Sequence, residues 1–209
     1  MANPIRSVDK LIVTKATPAA GAAGIMVDTA VPTFGFRDIT GVLVVKGAGA
    51  ADPSWSAFQG VIFAYEFSAT VIKEMWINFH VPHDYVPGTD IFFHTHWSNA
   101  AASPNTGNVV WGFDYMSARG FNQEAFPAAT TITVTQACPA TRYQHNIAET
   151  AAVTIANLEI DSLILTRVYR DATNGADTCT DAVHLLTADI HYQSSNLATK
   201  AKAGPGFYT

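Results

Sequence analysis

The stretch VVWGFDYM, residues 109–116, alternates large apolar side chains with smaller or polar ones at every second position. Successive side chains of an extended strand point to opposite faces. One face would therefore carry Val109, Trp111, Phe113 and Tyr115, and the other would carry Val110, Gly112, Asp114 and Met116. This period of two, rather than the 3.6 of a helix, predicts a β-strand with an aromatic face against a core.

Segments with the same character lie on both sides of this strand. They are rich in Val, Ile, Thr and aromatic residues, are separated by Gly, Pro, Asn or Asp, and predict strands at residues 41–47, 61–67, 73–81, 90–97, 130–136, 142–148, 161–170 and 182–193. Only residues 147–160 are ambiguous, and β-branched residues weaken a helix there. Many short strands without a long amphipathic helix predict an all-β fold, a jelly-roll-like β-sandwich.

The two ends of the chain differ from this body. Residues 1–36 contain one short apolar run, KLIVT at 10–14, in a stretch rich in Ala, Gly, Thr and Pro that cannot pack a core alone. The C-terminal residues have the same character, apart from Phe207 and Tyr208. We therefore predict an extended N-terminal arm (1–36), a β-sandwich domain (37–193) and a C-terminal tail (194–209).

Composition restricts the class of function. A chain of 209 residues is long enough for one sizeable domain. Charged residues make up 14% of it, against about 25% in ordinary soluble domains, which predicts that other protein covers much of the surface. The net charge is −5 without a basic stripe, so we expect no nucleic-acid partner. No apolar run is long enough for a membrane span or a signal-peptide core, so we expect no membrane partner.

The two cysteines, Cys138 and Cys179, lie far apart in the sequence. That spacing gives neither a disulfide framework nor a zinc knuckle. A single long-range bridge stays open as an alternative to two free thiols.

Four of the seven histidines cluster in one part of the chain, at His80, His83, His94 and His96. In the stretch DIFFHTHW, residues 90–97, strand alternation places His94 and His96 on one face. Two imidazoles at this spacing can share a metal ion, as they do in cupin barrels. The stretch is therefore a possible ligand pair.

A third ligand could come from His80, His83 or Asp84 on the preceding segment. The glutamate that follows the H-x-H pattern in cupins is missing, because the next residues are WSNAAASPNTGN. We therefore favour a structural interpretation, in which each histidine nitrogen is hydrogen-bonded in a partly buried sheet face. On this interpretation the chain has no metal and no cofactor.

Motifs for other chemistry are missing from the sequence. It contains no G-x-S-x-G nucleophile elbow and neither of the common glycine-rich phosphate loops. Tryptophans at strand positions favour core packing, whereas we predict Trp55 in the loop ADPSWSAF, with an exposed ring that could stack on a sugar. We therefore expect that the chain has no catalytic residues and that the protein is not an enzyme.

Several stretches resemble a family of structural proteins from tailed-bacteriophage particles. They span about residues 34–200 and are FRDITG followed by VKGAGAADPSWSAF, then VIFAYEF, WINFHVPHDYVPGTDIFFHTHW, NTGNVVWGFDY, EAFPAATTITVT and LTADIHYQSSNLATK. The order of these stretches is more specific than any one of them. The resemblance implies a β-rich virion protein, assembled in the host cytoplasm, at the head, neck or tail, and it supplies no catalytic residue.

From the residues and the resemblance together we expect a non-enzymatic virion subunit that decorates or cements the head or forms a spike. Its partners would be copies of itself, as a homotrimer, and major capsid or neck/tail proteins. One alternative is a receptor- or glycan-binding protein with Trp55 and the loop 98–108 at an exposed tip. The other is a cupin-like metalloenzyme that uses His94 and His96.

Overall fold

The computed structural model describes the backbone of residues 12–14 and 24–26 and, in full, residues 35–47, 51–196, 199 and 202–204. Within these ranges the chain is all-β, as predicted, and contains no helix. No helix that could cross a membrane occurs in this part of the chain. The strands are β1 (Ile12–Thr14), β2 (Gly24–Met26), β3 (Gly35–Thr40), β4 (Ser54–Gln59), β5 (Ile62–Phe67), β6 (Lys73–His80), β7 (Ile91–Ser98), β8 (Asn108–Arg119), β9 (Thr130–Ala137), β10 (Asn146–Glu149), β11 (Ser162–Arg170) and β12 (Val183–Ser194).

Two antiparallel sheets make up the body of the protein. The larger sheet has the order β10-β7-β12-β5-β4, and the smaller sheet has the order β6-β11-β8-β9. Strand β12 is central in the larger sheet, because β7 pairs along one edge while β5 and then β3 pair along the other. Strands β1 and β2 form a separate two-stranded sheet.

The two sheets pack face to face through aromatic side chains. Phe67 and Trp97 of the larger sheet contact Trp111 of the smaller one, with ring centroids 5.2 and 6.1 Å apart, and Phe93 stacks on Phe113 at 5.2 Å. All five rings are fully buried, and burial of each contributes about 1.5–3 kcal/mol. The predicted β-sandwich is therefore confirmed, including the buried aromatic face of β8, while its jelly-roll connectivity stays a prediction.

Three local predictions are wrong. Residues 41–47 form no strand, because only Val44 makes a bridge, to Trp76, and the strand lies just before them as β3. In the predicted strand 142–148 only residues from Asn146 onward are extended. Trp55 lies on β4 instead of in a loop, in a hairpin with β5 whose tight turn contains Gly60 at a positive φ of 57°.

The remaining predictions concern the chain ends and the cysteines. Most of the predicted arm (1–36) and tail (194–209) lies outside the described residues, so their extended character stays a prediction. Cys138 and Cys179 are buried free thiols, so the bridged alternative is not realised. A hydrogen bond between the two thiols and burial raise the pKa of Cys138, and the same hydrogen bond lowers the pKa of Cys179 to about 7.

Candidate functional site

Polar side chains gather on the outer face of the larger sheet, where β10, β7, β12 and β3 lie side by side. Strand register places Glu149, His94 and Asp189 directly opposite one another across β10, β7 and β12. The next row places His191 opposite Asp38 of β3. We call these residues, together with His96 and His145, the histidine–aspartate cluster.

A β-bulge in β12 brings two members of the cluster onto this face. Leu185 pairs with Trp97 and Thr187 pairs with His96, so that Leu186 is an extra residue in β12. An extra residue reverses which side chains face outward along the rest of the strand. Asp189 and His191 therefore point outward, toward His94 and His96, while Ala188 and Ile190 remain in the core.

His94 and Asp189 are the buried centre of the cluster. His94 is 1% exposed and Asp189 is 5% exposed. Nδ1 of His94 lies 2.6 Å from Oδ1 of Asp189, yet this contact lacks hydrogen-bond geometry, and both atoms, together with Nε2 of His94, have no hydrogen-bond partner among the described residues. An unsatisfied buried polar group costs about 1–3 kcal/mol. Among the described residues, these buried atoms therefore lack the hydrogen bonds that usually offset this cost.

His96 contacts the same carboxylate from the side. Its Nε2 lies 3.3 Å from Oδ1 of Asp189, and its Nδ1 lies 2.8 Å from Nε2 of His145. Burial lowers the pKa of His96, and the Asp189 carboxylate opposes this shift. The neutral imidazole is the form that binds metal ions.

His191, by contrast, already has a partner for each ring nitrogen. Its Nε2 lies 2.7 Å from Oδ1 of Asp38, and its Nδ1 lies 2.7 Å from Oε2 of Glu149. Its ring packs on His94, with centroids 3.8 Å apart. His191 therefore covers the buried centre and is itself held by two carboxylates.

Two sets of three potential metal-ligand atoms lie within 4.8 Å of one another in the described part of the chain, namely His94, His96 and Asp189, and Asp38, His94 and His191. The prediction that His94 and His96 share a face is confirmed. His80, His83 and Asp84, which the sequence offered as possible third ligands, belong to neither set. His80 and His83 both contact Asp161, at 3.0 and 3.4 Å, and Asp84 lies 2.9 Å from Arg37.

The sequence contained a signal for the missed carboxylate. In the stretch TADIHY, residues 187–192, Asp189 and His191 are two positions apart, which mirrors the spacing of His94 and His96. Two strands with such pairs on the same face bring four polar side chains together if the strands are neighbours. The pairing of β7 with β12 was not predictable from either stretch alone.

A second feature is an exposed apolar patch at the β4–β5 edge of the larger sheet. Its members line one shallow groove and are Val42, Trp55, Ile62, Phe63 and Leu186. Trp55 is 60% exposed, and its ring lies 4.7 Å from that of Tyr65 and stacks against Phe63 at 6.3 Å. Side chains of this size are normally removed from water in a folded domain.

The patch continues the face that forms the core. Phe63 and Tyr65 alternate with the fully buried Phe67 along β5, and Trp55 is directly opposite Tyr65. The smaller sheet covers Phe67 through Trp111 but leaves Trp55 and Phe63 exposed. The β4–β5 hairpin thus presents a core-like surface that no other described strand covers.

The loop 98–108, predicted at an exposed tip, is anchored to Asp181. Nδ2 of Asn99 and the backbone N–H of Asn105 both donate to Oδ2 of Asp181, at 2.8 and 2.6 Å. Ser98 and Asn99 are buried, whereas residues 102, 103, 105, 106 and 108 are exposed. The start of the loop is therefore not available for contacts, whereas the rest of it is partly exposed.

Known proteins show little similarity to this chain. No protein-family model matches the sequence. No curated protein sequence matches it either. Among solved structures, the receptor binding domain of the spike protein P1 from bacteriophage PM2 matches with a TM-score of 0.32 and 10% sequence identity, over 60% of this chain and 81% of that one. At this TM-score the match assigns neither a family nor a function.

Proposed function

We propose that the chain is a non-enzymatic structural subunit of a tailed-bacteriophage particle, a head decoration, cement or spike protein. It would act by burying surface against copies of itself, as a homotrimer, and against major capsid or neck/tail proteins of the virion. The stretches that resemble phage structural proteins, and their order along the chain, support this function. The low share of charged residues, 14%, supports it as well.

The observation that carries the proposal is the exposed apolar patch. Val42, Trp55, Ile62 and Phe63 line one groove and are each 46–79% exposed, and Trp55 and Phe63 continue the core face. Contiguous exposed apolar surface on a folded domain is typical of an interaction site. Obligate subunit interfaces bury about 2,000 Å² or more and resemble a domain core cut in two.

The location of the protein tests the proposal directly. Particles of a phage that encodes the chain are purified, and the copy number of the chain is measured by quantitative mass spectrometry against the major capsid protein. We expect a fixed, stoichiometric copy number in intact particles. Absence of the chain from such particles would refute the proposal.

The role of the patch is tested with a matched pair of variants. Trp55→Lys places a charge in the patch, whereas Phe121→Lys does so at a similarly exposed aromatic residue outside it, 56% against 60% exposed. We expect Trp55→Lys to shift the wild-type oligomer toward monomer in analytical ultracentrifugation. Phe121→Lys should leave the oligomer unchanged, and equal effects of both variants would argue against the patch as the contact.

A second candidate function, binding of a receptor glycan, is favoured by one observation. The rings of Trp55 and Phe63 are nearly parallel, with an interplanar angle of 22°, and both residues are exposed, so they offer aromatic surface for contact with a sugar ring. We expect a glycan-array signal that disappears in Trp55→Ala if this function holds. If the wild-type protein binds no glycan, this second function is refuted and only the structural function remains.

A further inference from the structure

We propose that His94, His96 and Asp189 bind one divalent first-row transition-metal ion such as Zn²⁺. The three side chains come from two neighbouring strands, β7 and β12. Nδ1 of His94 and Nε2 of His96 approach the same oxygen, Oδ1 of Asp189, at 2.6 and 3.3 Å. All three side chains can therefore offer a ligand atom to one point.

A second observation is independent of this convergence. Both ring nitrogens of His94 and Oδ1 of Asp189 are buried and have no hydrogen-bond partner within the described ranges. Buried polar groups in folded proteins are almost always hydrogen-bonded, so each exception needs a physical explanation. A metal ion would take up the lone pairs of two of these atoms, Nδ1 of His94 and Oδ1 of Asp189, at once.

The kinds of ligand and their spacing indicate which ions fit. Two imidazoles with one carboxylate suit Zn²⁺ and related transition metals, whereas Ca²⁺ and Mg²⁺ prefer oxygen ligands. Bonds of about 2.0–2.1 Å at tetrahedral angles place neighbouring ligand atoms about 3.3 Å apart. The distance from His96 to Asp189 is already 3.3 Å, and the 2.6 Å contact of His94 would open by a small side-chain rotation.

The neighbours of the site prepare it for a cation. His145, 2.8 Å from Nδ1 of His96, leaves Nε2 of His96 facing Asp189. Such outer partners fix the orientation and tautomer of a ligating histidine. The carboxylates of Glu149 and Asp38 each lie 2.7 Å from a ring nitrogen of His191, which packs on His94. They therefore add negative charge near the proposed ligands.

The competing set, Asp38, His94 and His191, is less suited to a metal ion. Both nitrogens of His191 already lie 2.7 Å from carboxylate oxygens, so a metal would have to displace an existing contact. Asp189, in contrast, has an oxygen without a hydrogen bond. His96, whose side chain is 20% exposed, gives a path from solvent to the proposed site.

The proposed ion would join the two strands at the middle of the larger sheet. His94 and His96 belong to β7, and Asp189 belongs to β12, which pairs with three other strands. A ligand that binds only the folded state raises stability with its concentration. The metal would therefore be a stabilising element of the sheet, whatever the partners of the chain.

The test uses the full chain without a histidine tag, stripped of metal by a chelator. Zn²⁺ is titrated by calorimetry, Co²⁺ is titrated by visible absorption, and the melting temperature is followed at rising Zn²⁺. We expect one equivalent of Zn²⁺, a Co²⁺ spectrum of a site with nitrogen and oxygen ligands, and a rise in melting temperature. A wild-type chain without saturable binding of either ion would overturn the proposal.

Variants assign the ligands. We expect Asp189→Asn and His96→Gln each to weaken binding of Zn²⁺ by about tenfold or more. His83→Gln, which removes a histidine of the separate contact with Asp161, should leave the affinity unchanged. Asp38→Asn, which removes a ligand of the competing set and a neighbouring negative charge, should weaken binding less than Asp189→Asn or His96→Gln.

Folding of each variant is checked by its metal-free melting temperature and circular dichroism. If Asp189→Asn fails to fold, His96→Gln still tests the site, because His96 lies at its partly exposed edge. Binding that survives in His96→Gln, or that is lost in Asp38→Asn but kept in Asp189→Asn, would contradict the assignment.

Discussion

Arg170 and His94 are both ionisable and both fully buried, but their surroundings differ. Arg170, at the end of β11, donates from Nε and Nη2 to the two oxygens of Asp177, at 2.9 and 2.7 Å, and from Nη1 and Nη2 to the backbone oxygens of Asp181 and Cys179, at 2.7 and 2.6 Å. His94 has no hydrogen bond to any described residue. Arg170 is complete without a ligand, whereas His94 is not.

His184 is intermediate between these two. It is 3% exposed, and its Nε2 lies 3.0 Å from Oγ of Ser56, but its Nδ1 has no partner in the described part of the chain. Burial costs each of the three side chains its contact with water, so the hydrogen bonds that replace that contact decide its effect on stability. The comparison indicates that Arg170 stabilises the fold through its hydrogen bonds. His94, which makes no hydrogen bond to a described residue, does not stabilise it in this way.

The largest expected effect comes from removing the carboxylate that pairs with the buried Arg170. Asp177→Ala removes both carboxylate oxygens and leaves the Arg170 guanidinium charged and buried. Loss of one partner of a buried ion pair costs about 3–5 kcal/mol. We expect the free energy of unfolding, measured by urea denaturation, to fall by that amount.

The matched control is an exposed ion pair. Glu124→Ala breaks the contact of Arg119 and Glu124, which lie 3.1 Å apart with 26% and 37% of their side chains exposed. Exposed pairs contribute little, because water and salt screen them. We expect Glu124→Ala to leave the urea midpoint unchanged, and a similar loss in both variants would mean that burial does not distinguish the two pairs.

The part of this fold that could be predicted from sequence is the part where alternation is regular. Trp111 and Phe113 repeat at period two without interruption, so β8 and its buried face were predictable. β4 was hard to predict, because Trp55 directly follows a Pro-containing loop and the glycine at position 60, which makes the hairpin turn, is an isolated signal. Residues 41–47 have the composition of a strand, but only Val44 finds a bridging partner.

The candidate site was predictable only within one strand. His94 and His96 share a face because of the spacing along β7, which is a local property. Asp189 joins them because β12 pairs with β7 and because Leu186 is an extra residue in β12. Strand pairing and a bulge depend on the packing of the whole sheet, so no local pattern encodes them.

A smaller effect, and one that depends on pH, is expected at His184. Burial lowers its pKa, and the carboxylate of Glu66, 3.7 Å away, opposes this only in part. The unfolded chain, with a histidine pKa of about 6.5, then binds a proton that the folded state does not. Wild type should therefore lose stability as the pH falls below about 6.5, and more steeply than His184→Gln.

Urea denaturation of both proteins at several pH values between 5 and 8 measures this difference. The carboxylates and the other histidines contribute equally to both proteins, so the comparison of the two slopes isolates His184. Parallel slopes would show that folding does not lower the pKa of His184.

The smallest effect is expected at His94 and Asp189, in metal-free protein. The double variant His94→Leu/Asp189→Leu replaces both groups of the 2.6 Å contact, because His94→Leu alone would leave the Asp189 carboxylate buried against an apolar side chain. Replacing both partners of a buried polar contact by apolar side chains is close to neutral, so the free energy of unfolding should change by less than about 1 kcal/mol, far less than for Asp177→Ala. A loss as large as that of Asp177→Ala would show that the polar contacts of His94 and Asp189 stabilise the fold, and the contrast with Arg170 would disappear. If the loss is small, the rise in melting temperature that Zn²⁺ causes in wild type should be absent from the double variant, because it lacks two of the three proposed ligands.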